Sequence, residues 1–207
     1  MVWKEYTVKQ FNLVDPSTTL ENEFYGPYNT LLLDLFPPTE HYQVIPQFKR
    51  YTGGVDYAVS YVIFKEGTPI FFVDIRPFID LNRNNTRAEA DDHMRTIFLD
   101  FSAERLPSKF IGISAMGTRF AVYEFTPNDR RLKPPRIMDR RLEFPRIIDH
   151  RSYTLTDTAP KERWTDDIIE DSGEAKFKAL VNEAKQVASA LGVCEHNFLL
   201  YSCPFTD

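Results

Sequence analysis

Cysteine, glycine and long apolar runs are all scarce in this chain of 207 residues, and the shortages exclude several classes of protein. The two cysteines, Cys194 and Cys203, are expected to be free thiols, since nothing in the sequence indicates secretion. No apolar stretch reaches the length of a transmembrane helix, and the first residues lack the apolar core of a signal peptide. The sequence therefore predicts an intracellular protein, cytoplasmic or nuclear, with no membrane association.

Several motifs of common enzyme classes are also missing. The four histidines are scattered and do not combine with cysteine at the spacing of a zinc site. There is no phosphate-binding P-loop, no glycine-rich dinucleotide loop and no Gly-x-Ser-x-Gly nucleophile elbow. These absences argue against the enzymes that depend on such motifs.

The chain contains enough hydrophobic residues for one packed core. Hydrophobic residues make up 43% of the sequence, with 17 phenylalanines and 10 tyrosines. A single domain over residues 1–207 is therefore predicted. The net charge of −5 argues against a surface coated with positive charge, although it allows a local basic site.

Alternating apolar residues predict an α/β fold with a mixed central sheet between Tyr42 and Phe125. Two strands are expected at Val55–Phe64 and Ile70–Phe78, joined by a turn, within an antiparallel meander. A second pair of strands follows at Phe110–Phe125, with its turn at Gly117.

Apolar residues at helical spacing predict helices on either side of these strands. The first helix precedes the sheet and ends before Pro37, with Pro27 opening its second segment. Another helix separates the two groups of strands, and the last covers residues 172–192. The predicted helix starts are Ser17 or Thr18, the capping box of Thr86 and Glu89, and Ser172.

Two carboxylates and a cation fall on the predicted meander. Asp56 lies on the first strand, and the tripeptide Asp74-Ile75-Arg76 lies near the end of the second. Since side chains alternate along a strand, Asp74 and Arg76 point to the same face. Carboxylates on adjacent strands with a nearby cation suit a Mg²⁺-dependent phosphodiesterase, because oxygen ligands hold the metal and the cation stabilises charge on the phosphate.

This pattern resembles the PD-(D/E)XK nuclease superfamily over residues 17–126. The resemblance implies a restriction-endonuclease-like core, and the order of helix, three strands, helix and strands agrees with it. It also implies a glutamate on the first helix, for which Glu21 and Glu23 are both available. Glu23, Asp56 and Asp74 would then bind Mg²⁺ or Mn²⁺, and Arg76 would contact the scissile phosphate. The superfamily has lysine where this chain has Arg76.

The chain as a whole also resembles a group of fungal proteins. The strings that carry this resemblance are Asn-Glu-Phe-Tyr-Gly-Pro-Tyr-Asn at 22–29 and Asp-Thr-Ala-Pro-Lys-Glu-Arg-Trp at 157–164. In similar sequences the third strand reads as a carboxylate, any residue, then lysine. The resemblance covers most of the chain and carries little information on function.

Each candidate residue also has a structural interpretation. Asp74 interrupts an apolar strand, and a buried carboxylate needs a partner, which Arg76 could provide as an ion pair. Asp56 could be an exposed residue at the start of a strand. On the helix that follows, Arg87 or Asp91 is expected to face the site, because one helical turn separates them.

The segment 129–151 differs in composition from the rest of the chain. It holds eight arginines and lysines against four acids, and its prolines favour extended backbone. We expect an exposed basic arm or short edge strands that bind nucleic acid, in the first instance DNA; the alternative is a solvated loop. The residues predicted to contact phosphates are Arg136, Arg140, Arg141 and Arg146.

The sequence therefore supports two functional hypotheses. The first is a Mg²⁺-dependent nuclease whose activity is reduced because Arg76 replaces lysine, since arginine does not readily give up a proton. The second is a non-catalytic protein that keeps the nuclease fold and binds nucleic acid or a protein partner through the basic segment.

Overall fold

The structure, a computed structural model, describes residues 3–50, 57–102, 104–137 and 159–192. Within these ranges the protein is an α/β protein with one mixed sheet of seven strands and four α-helices. The helices are α1 (Glu5–Leu13), α2 (Tyr25–Leu35), α3 (Asn84–Phe101) and α4 (Asp171–Gly192). The strands are β1 (Tyr42–Arg50), β2 (Tyr57–Lys65), β3 (Thr68–Arg76), β4 (Phe110–Met116), β5 (Arg119–Thr126), β6 (Arg131–Lys133) and β7 (Asp166–Asp167).

The first five strands lie side by side in chain order. β1, β2 and β3 form an antiparallel meander, β3 and β4 are parallel, and β4 and β5 form an antiparallel hairpin. The short strands β6 and β7 both pair with β5. Parallel strands need a long crossover, and α3 lies in the connection between β3 and β4.

The two faces of the sheet bury different sets of residues. Phe71 and the next odd-numbered residues of β3 belong to a core with α2 and α4, whereas Phe72 packs against Phe98 of α3 and Phe110 of β4. The alternation of side chains along a strand therefore directs Asp74, like Phe72, toward α3. β3 is buried over almost its whole length, which explains its nearly continuous apolar sequence.

The main elements of the sequence-based prediction are confirmed. The meander, the hairpin turning at Gly117 and the crossover helix all form. The predicted capping box is wrong in detail, because α3 begins at Asn84 and the Thr86 hydroxyl instead donates to the carbonyl oxygen of Asp80. Likewise α4 begins at Asp171, one residue before the predicted cap.

Two parts of the N-terminal region differ from the prediction. α1 was not predicted from the sequence, because only Thr7 and Phe11 are buried in it and its apolar pattern is weak. The helix predicted from Ser17 is a short 3-10 helix at Glu21–Phe24 followed by α2, whose first turn contains Pro27. Proline is tolerated there because first-turn N–H groups have no partner within the helix.

Part of the basic segment 129–151 forms an edge strand. Arg131–Lys133 is β6, with both terminal side chains exposed, and residues 138–158 lie outside the described ranges. The prediction of a single domain covers such residues and stays a prediction. Among the helices described, none is long and apolar enough to cross a bilayer.

Candidate functional site

Asp74 is the centre of a buried polar cluster on the α3 side of the sheet. Asp74 is fully buried, and strand pairing places it between Ser60 on β2 and Ser114 on β4. The Ser60 hydroxyl donates to Asp74 Oδ1 at 3.0 Å. Asp74 Oδ2 lies 3.1 Å from Nδ1 of His93 and 3.8 Å from Nε of Arg76.

These contacts favour the ionised form of Asp74. Burial alone would raise the pKa of this carboxyl, but His93, then Arg76 and the Ser60 hydroxyl, together hold the pKa below its usual value. An ionised carboxylate only accepts hydrogen bonds, so His93 carries a proton on Nδ1. The negative charge of Asp74 is therefore compensated by groups of the same chain.

Arg76 is the cation shared by the acids around it. Only 19% of its side chain is exposed, and its Nε is buried with no hydrogen-bond partner among the residues described. Besides Asp74, its charge acts on Glu21 and on Asp80 of the 3-10 helix that follows β3. The positive charge of one guanidinium thus lowers the pKa of three carboxyl groups.

Glu21 and Asp80 are less well compensated than Asp74. Burial raises the pKa of both carboxyls, and the negative charges of Asp74 and Asp80 raise that of Glu21 further. The Tyr25 hydroxyl donates to Glu21 at 2.5 Å, and the Tyr61 hydroxyl donates to the Tyr25 carbonyl at 3.1 Å. The first bond orients the Glu21 carboxylate, and the second holds the backbone of Tyr25.

The cluster lies where the parallel strands β3 and β4 end, and in open α/β sheets ligands commonly bind beyond this edge. The backbone there is held by Gly117, whose N–H donates to the Arg76 carbonyl and whose φ of +63° is left-handed. A Cβ on Gly117 would lie 2.6 Å from the Cβ of Phe78, so the turn requires glycine. The Tyr28 hydroxyl completes the anchor by donating to the Gly117 carbonyl.

Glu23 lies apart from these contacts. It is exposed and lines a groove between α1 and α2 with Leu13 and Thr30. Glu21, the other glutamate available in the sequence, is the one whose charge couples to Asp74. The role of Glu23 as a metal ligand stays a prediction.

Four of the predicted site residues lie outside the described ranges: Asp56, Arg140, Arg141 and Arg146. Asp56 comes directly before the start of β2, the strand that pairs with β3. Arg136 is described and forms an ion pair of 2.8 Å with Asp92, in which both side chains are more than half exposed. Such exposed pairs contribute little to stability, so Arg136 can exchange this partner for another anion.

The described residues do not fit a Mg²⁺ site. None of the histidines, cysteines and acids in these ranges come together in a group of three that could hold a metal ion. Both oxygens of Asp74 already contact Ser60 or His93, and Arg76 adds a competing positive charge. The prediction of Mg²⁺ or Mn²⁺ binding therefore depends on residues beyond those described.

A second polar cluster, which was not predicted from the sequence, surrounds Asp91. This carboxylate is buried and accepts hydrogen bonds from Arg95, Arg163, the Tyr123 hydroxyl and the Ile137 backbone N–H. Despite burial, these donors keep the pKa of Asp91 below its usual value. A buried acid on α3 with a cation four residues later was the available signal.

The same cluster anchors the basic segment to the body of the protein. Arg95 donates to the carbonyl of Pro134, and Arg163 donates to that of Pro135, each at 2.9 Å. Ile137 donates its N–H to Asp91 at the same distance. Residues 134–137 are thus held on α3 by charge-assisted hydrogen bonds.

Arg87, which was predicted as the alternative to Asp91 for a residue facing the site, has a structural role. Its guanidinium donates to the backbone carbonyls of Ala159 and Leu81 and to the side chain of Asn84. It therefore joins the start of α3 to the segment after residue 158.

Fold and site together define an α/β protein with a charge-compensated polar cluster at the end of its parallel strands. No protein-family model, no curated protein and no solved structure matches this chain.

Proposed function

We propose that this protein is a non-catalytic member of the nuclease-like class that binds nucleic acid through its basic segment. The observation that carries the proposal is the compensation of Asp74 by groups of the same chain, which leaves its oxygens poorly placed to hold a metal. The order of helix, three strands, helix and strands supports the class, since it is the order of the nuclease core.

The replacement of lysine by Arg76 supports the loss of hydrolysis. Arginine stays protonated in proteins, so Arg76 does not act as a general base. A phosphate approaching Arg76 would also meet the negative charges of Glu21, Asp74 and Asp80. Binding of nucleic acid at this cluster is therefore unfavourable, and a surface with fewer acids is a better site.

The basic segment offers such a surface. Arg130, Arg131 and Lys133 are exposed on β6 and the turn before it, and Arg136 follows on the anchored stretch. The contacts of Asp91 hold this stretch in place, so the cations are presented from a fixed base. Neutralising phosphates with fixed cations releases counterions from the nucleic acid, which drives binding at low salt.

The test measures binding of a short DNA duplex and an RNA of the same sequence over a range of salt concentrations, by fluorescence anisotropy. Changing Arg130, Arg131 and Lys133 to glutamine should weaken binding and reduce the slope of log affinity against log salt. Each lost phosphate contact removes about 0.9 from that slope on duplex DNA. Changing Arg136, Arg140, Arg141 and Arg146 to glutamine should act in the same direction.

A matched control removes the same amount of charge elsewhere. Three exposed lysines serve for this control: Lys4 lies directly before α1, Lys9 lies on α1 and Lys176 lies on α4. Their replacement by glutamine should leave the slope of log affinity against log salt unchanged. If the control lysine changes reduce the affinity and the salt slope as much as the changes in the basic segment do, the basic segment has no specific role and the proposal fails.

A Mg²⁺-dependent nuclease is the second candidate, and the raised pKa values of Glu21 and Asp80 favour it. Acids that lack sufficient positive charge would gain from a divalent cation. Plasmid nicking with Mg²⁺ or Mn²⁺ separates the candidates: the first predicts no cleavage by the wild type or by Arg76→Lys. Cleavage that Asp74→Asn abolishes, together with metal-binding heat in calorimetry that the same change removes, would establish the second.

A further inference from the structure

A pocket of about 410 Å³ opens between the second half of α3 and the hairpin of β5 and β6. We call it the α3–β6 pocket. Its lining is mainly apolar and aromatic and includes two arginines: Phe98, Leu99, Phe125, Leu132, Arg95 and Arg130. A pocket of this size and composition suits a small organic group, because the apolar walls favour burial and the few polar groups orient the ligand.

The apolar walls of the pocket are only partly covered by the protein itself. Phe98 is buried and contacts Phe125 with ring centroids 6.0 Å apart, whereas Phe125 and Leu132 are partly buried. Leu99 is 71% exposed on α3. A planar group in the pocket would contact the aromatic wall and remove Leu99 from water, and both effects favour binding.

Arg130 supplies a positive charge that no described carboxylate compensates. Its side chain is exposed and pairs with no acid in the part of the chain that the structure describes. The turn that carries it is tight, since the Arg130 N–H donates to the Pro127 carbonyl and its φ of +48° is left-handed. Glycine adopts this backbone conformation readily, so the turn itself does not require arginine.

The other arginine of the pocket belongs to a cluster with excess positive charge. Arg95 and Arg163 both contact Asp91, so two cations share one anion. Among the described residues that line the pocket, none is an acid. The pocket is therefore complementary to an apolar group that carries negative charge beside it.

A second exposed arginine lies further along α3. Arg130 lines one end of the pocket, and the chain then runs back along the helix, where Arg95 donates to the Pro134 carbonyl. Arg136 pairs with Asp92, one helical turn before Arg95. Arg130 and Arg136 thus flank the pocket along the direction of α3, and both side chains are exposed.

We propose that the α3–β6 pocket receives one unpaired base of a single-stranded nucleic acid, while Arg130 and Arg136 bind phosphates on either side of it. The inference rests on the proposed function and adds a preference for single strands. A base has the planar apolar faces that aromatic side chains stack against, and it carries a phosphate on each side. In a duplex the bases are stacked and paired, so only the phosphates are accessible to the arginines.

The experiment compares three labelled probes by fluorescence anisotropy: a single-stranded DNA, an abasic strand with the same number of phosphates, and a duplex. Stacking of one base in the pocket should make the strand with bases bind about tenfold tighter than the abasic strand. Because the two strands carry equal charge, this ratio of affinities isolates the contribution of the bases.

Variants of the pocket should act on the ratio and variants of the arginines on the phosphates. Leu99→Ser and Ser102→Trp should bring the ratio close to one, the first by removing an apolar wall and the second by filling the pocket. Leu13→Ser is the matched control, since Leu13 is 83% exposed on α1, and it should leave the ratio unchanged. Arg130→Gly keeps the turn and should weaken binding of both strands alike, and circular dichroism reports that the variants fold.

The outcomes separate this inference from the proposed function. If the abasic strand and the duplex bind as tightly as the strand with bases, the basic segment binds phosphates and the pocket does not hold a base. A ratio that Leu99→Ser changes no more than Leu13→Ser would overturn the inference as well. If none of the three probes binds, the proposed function and the inference both fail.

Discussion

Replacing Asp74 by asparagine tests whether this carboxylate supports the fold or is kept at a cost to it. The change keeps the size of the side chain and removes the negative charge next to Arg76 and His93. We expect it to destabilise the protein at neutral pH. The opposite result is expected of a carboxylate held for function, because replacement of strained active-site groups often raises stability.

The magnitude follows from the contacts that the change removes. Breaking a buried ion pair by removing one partner costs about 3–5 kcal/mol. Arg76 is 19% exposed, so water compensates part of its lost partner, and asparagine can still accept from Ser60. An estimate of about 2–4 kcal/mol is therefore reasonable for the loss of this charge-assisted network.

The pH dependence of the stability difference provides a second test of this prediction. The pKa of Asp74 is lower in the folded protein than its ordinary value of 3.8, so its stabilising contribution is complete above about pH 5. The contribution is lost as the pH falls through the folded-state pKa. The stability difference between wild type and Asp74→Asn should therefore shrink below about pH 4, the unfolded-state value for aspartate.

Urea denaturation of both proteins at pH 7 and in the acid range is the assay. Asp80→Asn is the matched control: burial raises the pKa of Asp80, so its charge opposes folding at neutral pH and its removal should not destabilise. If Asp74→Asn is as stable as the wild type at pH 7, the compensation by Arg76 and His93 does not stabilise the fold, and the reasoning is refuted.

Three further predictions concern other parts of the molecule. Asp91→Ala should cost about 3 kcal/mol in urea denaturation, because it leaves buried donors unsatisfied; it should also speed tryptic cleavage after Arg136, and unchanged cleavage would contradict the anchoring role. Gly173→Ala should destabilise by at least about 2 kcal/mol through overpacking, since its Cβ would lie 1.8 Å from the Asp167 carbonyl oxygen; a melting temperature equal to the wild type would count against this packing. Glu21→Gln should preserve or raise stability at neutral pH, because burial raises the pKa of Glu21 and disfavours its charge in the folded state; a clear loss in urea denaturation would mean that its charge is needed by the fold.

The sequence by itself determined the order and type of most elements of the sheet and its crossover. Alternating apolar residues define β2 to β5, and the helical repeat defines α3 and α4, because both patterns depend on neighbours within a few residues. Asp74 could be selected for the same reason, since it interrupts an apolar strand. The 3-10 turn at Glu21–Phe24 and α1 were missed because their buried residues are too few to give a periodic signal.

The partners of the site residues were decided only by the tertiary structure. The crossover through α3 brings His93 to Asp74, and strand pairing brings Ser60 to its other oxygen. Arg163 reaches Asp91 across 72 positions of sequence. No local pattern encodes such contacts, because they arise when distant segments pack their buried charges against one another, where each charge needs a partner.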